Sequence, residues 1–102
     1  MPTLFEYLGI VIKFFSNEHL PIHIHALYKD CEVKVEIHLK NKEIEKIRYL
    51  SVKSKKEFPT SKLKQLKKLI EVEKYEIVTL WIRFFVFNER IRMKKLTSKD
   101  LL

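Results

Sequence analysis

Glycine occurs once in this 102-residue chain, cysteine once, tryptophan once and proline three times. A single Gly excludes the Gly-rich loops that cradle phosphates and the flexible linkers that join domains. A single Cys, Cys31, excludes an intramolecular disulfide and a Cys-based zinc knuckle, and it reads as a small buried apolar residue. Long hydrophobic runs are missing too: the longest, residues 77–87, is interrupted by Thr79 and Arg83 and is too short to span a bilayer. The chain starts Met-Pro-Thr-Leu-Phe-Glu, without the basic segment, apolar run and small-residue cleavage site of a secretory signal. A cytoplasmic protein with no membrane partner is expected.

What is present composes one folded domain, residues 1–102. Its 46% hydrophobic and 33% charged residues are the balance of a globular protein, and its length supports a single modest core. The net charge of +8 is unevenly placed. Residues 1–51 carry seven basic and seven acidic side chains, whereas residues 52–102 carry fourteen against six, so the second half holds the whole excess. Such a field favours a polyanion such as nucleic acid, or an acidic protein. A solvated, lysine-rich helix face is the plainer alternative.

The pattern along the chain predicts an α+β fold. Gly9 to Phe15 is a β-branched and aromatic run with one polar position, Lys13, and reads as a central strand; Leu4 to Leu8 is a short strand or a lead-in. Ile22–Tyr28 and Cys31–Lys40 pair as a hairpin. In the second, Val33, Val35, Ile37 and Leu39 alternate with Glu32, Lys34, Glu36 and His38. A two-residue turn at Lys29-Asp30 sets Ile24 opposite Val35 and Ile22 opposite Ile37, with His23 opposite Glu36 and His25 opposite Lys34 on the other face. Asn41-Lys42 then turns into Glu43–Val52, where the alternation slips between Ile44 and Ile47 and signals a bulge.

Pro59-Thr60-Ser61 offers a helix entrance with a hydroxyl cap, followed by Leu63, Leu66, Leu69 and Ile70 at helical spacing with Lys62, Lys64, Lys67 and Lys68 outside. Tyr75 to Phe87 reads as a second helix buried on most sides, with Tyr75, Trp81, Phe84, Phe85 and Phe87 in the core. Arg90 to Leu96 alternates as a short closing strand. The expected architecture is an antiparallel sheet, built from the N-terminal strand and a three-stranded meander, with two C-terminal helices on one face and the closing strand at an edge.

Three of the four histidines lie in Asn17-Glu18-His19-Leu20-Pro21-Ile22-His23-Ile24-His25. Imidazole both ligates metals and changes charge near neutral pH, so chemistry is sought there. His23, His25 and His19 could hold a divalent metal, zinc or similar, with Glu18 or Glu36 beside them. Without a metal, His19, His23, His25 and Glu36 could move protons in phosphodiester cleavage, with Lys34 or arginines holding phosphate charge. Alternatively, the histidines are structural: His23 and His25 bond to Glu36 and to backbone near Pro21, and His19 caps the loop. His38 reads as plain surface. Lys62, Lys64, Lys67, Lys68, Lys74, Arg90, Arg92, Lys94 and Lys95, with Arg83, could form a phosphate-contacting surface if helix and closing strand lie adjacent.

Met1-Pro2-Thr3, Gly9-Ile10-Val11-Ile12 before two aromatics, and Asn17-Glu18-His19-x-Pro21-x-His23-x-His25-Ala26 resemble an uncharacterised bacterial family known as domain of unknown function 4160. The likeness covers the first thirty residues well and the rest in outline. In that family a proline commonly sits directly before the second histidine; here Ile22 does, Pro21 stands one place earlier, and Glu18 replaces an aspartate. The resemblance implies a small prokaryotic protein often encoded beside another short one, as in a toxin–antitoxin-like two-gene module. It assigns no chemistry to any residue. The expected function is therefore a nucleic-acid- or partner-binding component of such a module, its partner being nucleic acid or an acidic protein encoded nearby. A small ribonuclease-like phosphodiester hydrolase, with or without a metal, and a structural or homo-oligomer-forming protein are the alternatives.

Overall fold

A computed structural model of the chain describes residues 2–15 and 21–101. Among the described residues six strands form one mixed sheet. They are β1 (Thr3–Tyr7), β2 (Ile10–Lys13), β3 (Ile22–Tyr28), β4 (Cys31–Lys40), β5 (Glu43–Ser51) and β6 (Lys94–Leu96), in the spatial order β5-β4-β3-β2-β1-β6. One long helix, α1 (Thr60–Trp81), crosses one face.

The hairpin expected from the alternation is present residue for residue. Ile24 pairs with Val35, Ile22 with Ile37, His23 with Glu36 and His25 with Lys34, around a turn in which Lys29 takes positive φ. At the next turn Asn41 and Lys42 both have positive φ, the backbone that suits a two-residue hairpin. Beyond it His38 pairs with Lys46 and Leu39 with Ile44, so Glu45 is the extra residue of a bulge, where the alternation slips. The segment before β2 is a full strand, joined to it by Leu8 and Gly9, both at positive φ.

Period-two alternation separates the faces. Phe5, Ile10, Ile12, Ile22, Ile24, Ala26, Val35 and Ile37 are buried beneath Leu66, Leu69, Ile70 and Ile77 of α1. Cys31 is buried as expected. At the far end of α1, Phe14 packs against Phe84 and Phe85, with ring centroids 5.9 Å and 5.4 Å away, and Trp81 lies 5.2 Å from Phe85.

Several expectations are corrected. The two predicted helices are one: no Gly or Pro falls between Thr60 and Phe87, so nothing stops the first before the second begins. The helix runs on through a π-helical turn, Ile82–Val86, and ends where Asn88 takes positive φ. No hydroxyl caps its start. Pro59 is the N-cap, its carbonyl accepts from Leu63 N at 2.9 Å, and Thr60 already lies inside the helix. The sheet is mixed, because the crossover through α1 returns β6 parallel to β1. That strand is only Lys94–Leu96. Tyr75 and Phe87 are not core: they are 66% and 64% exposed, on the side of the helix turned away from the sheet. Among the described residues no helix is long and apolar enough to cross a membrane.

Candidate functional site

The face of the sheet turned away from α1 carries the histidines, placed there by the parity of β3. His25 Nδ1–H donates to Glu32 Oε2 at 2.7 Å, and Phe15 stacks on the imidazole at 3.8 Å between centroids with planes 16° apart. Glu32 is only 6% exposed. With the carboxylate as acceptor, the bond fixes the ring orientation through Nδ1. His23, also buried, donates from Nδ1 to the Pro21 carbonyl at 3.1 Å, and its ring stands edge-on to that of His25 at 6.0 Å.

Glu36, although opposite His23 in register, turns to other partners. His38 Nε2 lies 3.0 Å from one of its oxygens and Lys34 Nζ 3.6 Å from the other. Burial pushes the Glu36 carboxyl up, but the hydrogen bond from His38 and the charges of Lys34 and His38 outweigh it and hold the group below the usual carboxylate value. His38 is thus tied into an ion-paired cluster. His19 and Glu18 lie outside the described residues. Among the described residues no three His, Cys, Asp or Glu side chains gather as metal ligands, and the third expected imidazole, that of His19, lies outside them.

The basic residues fall into separate places. Arg90, Arg92 and Lys94 line a cleft of about 350 Å³ together with Arg83, which the helix end delivers to the same spot. Leu4, Phe5, Leu80 and Ile91 form its apolar lining, and Glu76 is its single carboxylate. Arg83 Nε donates to Glu89 at 2.9 Å, while Arg90 and Arg92 form no ion pair among the described residues. Next to the cleft, Glu73 is pushed up by burial; Lys94 draws it down, and Glu76 and Asp100 push it up further.

Lys67, Lys68 and Lys74 line a wider groove, about 650 Å³, between α1 and the opposite sheet edge at β5. Its balance is different: Glu45 and Glu71 join Lys46 and the three helix lysines, and Lys74 Nζ donates to Glu71 at 2.7 Å. Lys67 sits over the Tyr49 ring at 5.3 Å, and burial with the Glu71 charge pushes the Tyr49 hydroxyl to about 12. Lys62 serves the fold, donating to the Leu8 carbonyl at 2.8 Å and lying 4.8 Å from the Tyr28 centroid. Lys95 faces Glu6 at 3.9 Å, and Lys64 is exposed on the helix. The nine expected phosphate contacts therefore do not form one surface; three of them and Arg83 share the cleft.

Sequence reasoning missed Glu32 as the partner of His25. The available signal was diagonal: Glu32 is two residues along β4 from Lys34, the residue directly opposite His25, and long side chains reach such positions.

The sequence model of a family described as a domain of unknown function (DUF4160) matches residues 9–82. That span holds β2 to β5, the described histidines and α1, and ends before Arg83 and the other cations of the cleft. No curated protein and no solved structure matches the chain.

Proposed function

This chain belongs to the DUF4160 family, whose description assigns no activity, and we propose that it acts by binding the phosphodiester backbone of nucleic acid at the cleft between the end of α1 and the closing strand. The observation that carries the reading is the meeting of Arg83, Arg90, Arg92 and Lys94 around one concavity whose lining includes one carboxylate, Glu76, with Glu89 paired to Arg83 beside it. Guanidinium groups present forked donors suited to phosphate, and the apolar floor lowers the local dielectric beneath them. These cationic groups suit phosphate rather than base edges, so binding is directed to the backbone and weakens with salt. Its place in a two-gene module is proposed from the family resemblance alone.

Fluorescence anisotropy with labelled single- and double-stranded oligonucleotides over a salt series tests this. Arg90→Gln and Arg92→Gln should each lower the slope of log K against log salt by about 0.7–0.9, whereas His23→Ala should leave it unchanged. Salt-independent binding, or a slope indifferent to both arginines, overturns the reading. Binding to an acidic protein with no affinity for either oligonucleotide selects the other polyanion.

A second reading, phosphodiester hydrolysis on the histidine face, is favoured by one observation: buried Glu32 holds the His25 imidazole in one orientation through Nδ1, as a group that relays protons requires. Cleavage of an RNA or DNA oligonucleotide that His25→Ala abolishes, with the fold intact, is its expected result. A protein inactive on both nucleic acids with each divalent metal supplied rejects it.

A further inference from the structure

The outward side of α1 and its π-helical extension carries Val72, Tyr75, Thr79, Ile82 and Val86, spaced by three and four residues and all exposed. Val86 is 57% exposed, and Phe87, which caps the π-helical turn, is 64% exposed. At about 100° per residue the α-helical members of the stripe, Val72, Tyr75 and Thr79, lie about 170° around the helix from Leu66, Ile70 and Ile77, so they play no part in the core. Alternating steps of three and four are the spacing of a seam between two packed helices. The other exposed large hydrophobics among the described residues, Leu8, Leu39 and Met93, lie on other parts of the chain.

We propose that this stripe is a docking surface for a second copy of the same chain, the two helices running antiparallel with Thr79 at the two-fold axis. Charge complementarity selects both the occupant and the direction. Glu76 and Arg83 flank the stripe on one side, and a two-fold through Thr79 brings Glu76 of each copy against Arg83 of the other. A parallel pair would instead oppose Lys68 to Lys68 and put Glu76 and Arg83 on opposite sides of the seam from their counterparts. The stripe is self-complementary, as an isologous interface requires: Val72 meets Val86, Tyr75 lies on Ile82 and Arg83, and the small Thr79 leaves room for the rings. The exposed two-thirds of Tyr75 and about half of each aliphatic side chain, on both copies, are left to cover, so the contact falls at the small end of specific interfaces, where a dimer dissociates on dilution.

Arg83 and Glu76 border the seam and also line the basic cleft. An antiparallel pair places equivalent flanks side by side, so both clefts open on the same side of the dimer and form one longer cationic track. This consequence rests on the phosphodiester-binding reading; the dimer itself does not.

Sedimentation velocity of the full chain without nucleic acid, over a hundredfold dilution, tests the proposal. Twice the chain mass is expected at the concentrated end, falling to one chain on dilution. Tyr75→Glu, at a solvent-exposed position, should give a single-chain mass throughout with an unchanged thermal unfolding curve. Arg83→Glu should weaken the dimer about tenfold, and adding Glu76→Arg should restore it. A wild-type monomer at every concentration overturns the proposal, including one that captures a different protein on the stripe. A dimer that survives Tyr75→Glu overturns it by placing the contact elsewhere, and failure of the charge swap to restore a weakened dimer overturns the antiparallel arrangement.

Discussion

His25 and Glu32 meet diagonally across the β3–β4 hairpin, Nδ1 to carboxylate at 2.7 Å, with both side chains almost withdrawn from solvent. The pair joins two strands at a point where backbone pairing alone would leave a buried carboxylate without a donor.

Breaking it from one side should cost more than replacing it from both. Glu32→Ala leaves His25 Nδ1–H unpaired and is expected to destabilise by about 1–3 kcal/mol. The double variant His25→Phe with Glu32→Leu should lose less than its two single variants summed, by about 1 kcal/mol or more in a double-mutant cycle from urea unfolding. Strict additivity would show that the bond carries no coupling.

Two carboxyls give stability opposite pH dependences. Glu36, held below its usual value, binds fewer protons folded than unfolded, so its stabilisation is present above the unfolded pKa and is lost as pH falls through the folded one. Glu36→Gln should flatten the acid limb of a stability–pH curve. Glu73, pushed up first by burial, has the opposite sign: its contribution is present below the unfolded pKa and lost as pH rises through the folded one. Glu73→Gln should therefore raise the urea midpoint at neutral pH and leave it little changed in acid.

The β1–β2 turn stores strain at a leucine. Leu8 sits at φ 50 with its carbonyl held by Lys62, and Leu8→Gly should gain roughly 0.5–1 kcal/mol by removing the left-handed penalty. Gly9 is at φ 84, and a Cβ there would stand 3.2 Å from the Tyr28 ring. Gly9→Ala should lose about 1–2 kcal/mol. Thermal unfolding of the two variants should shift in opposite directions.

The two basic grooves should respond differently to charge reversal. Arg92→Glu, in the cleft with one carboxylate, should reduce oligonucleotide affinity about tenfold or more at low salt. Lys67→Glu, in the groove where Glu45 and Glu71 already offset the lysines, should change it by less. Titration of both variants at one salt concentration checks the order, and equal losses would point to diffuse attraction by net charge.

The hairpin was legible because strand alternation is local and its period of two admits no slack: once Val33, Val35 and Ile37 face inward, a two-residue turn dictates that His23 and His25 face outward together. The bulge at Glu45 was readable for the same reason, as a break in that period. The partner of His25 was not, because register identifies the residue opposite and side-chain reach decided for the diagonal one. Tyr75 was misplaced because an apolar residue in a mostly apolar run carries no mark of the side it occupies.

By itself, then, the sequence determined the α+β composition, the sheet's two faces, the position of the histidines on the one opposite the helix-facing apolar side and the concentration of positive charge in the second half. Tertiary structure alone decided that β6 returns parallel beside β1, that Glu32 and not Glu36 holds His25, and that the cations divide between a cleft at one sheet edge and a groove at the other. These depend on how far one uninterrupted helix carries the chain across the sheet and on where it delivers Arg83, a long-range outcome of packing that no local periodicity encodes.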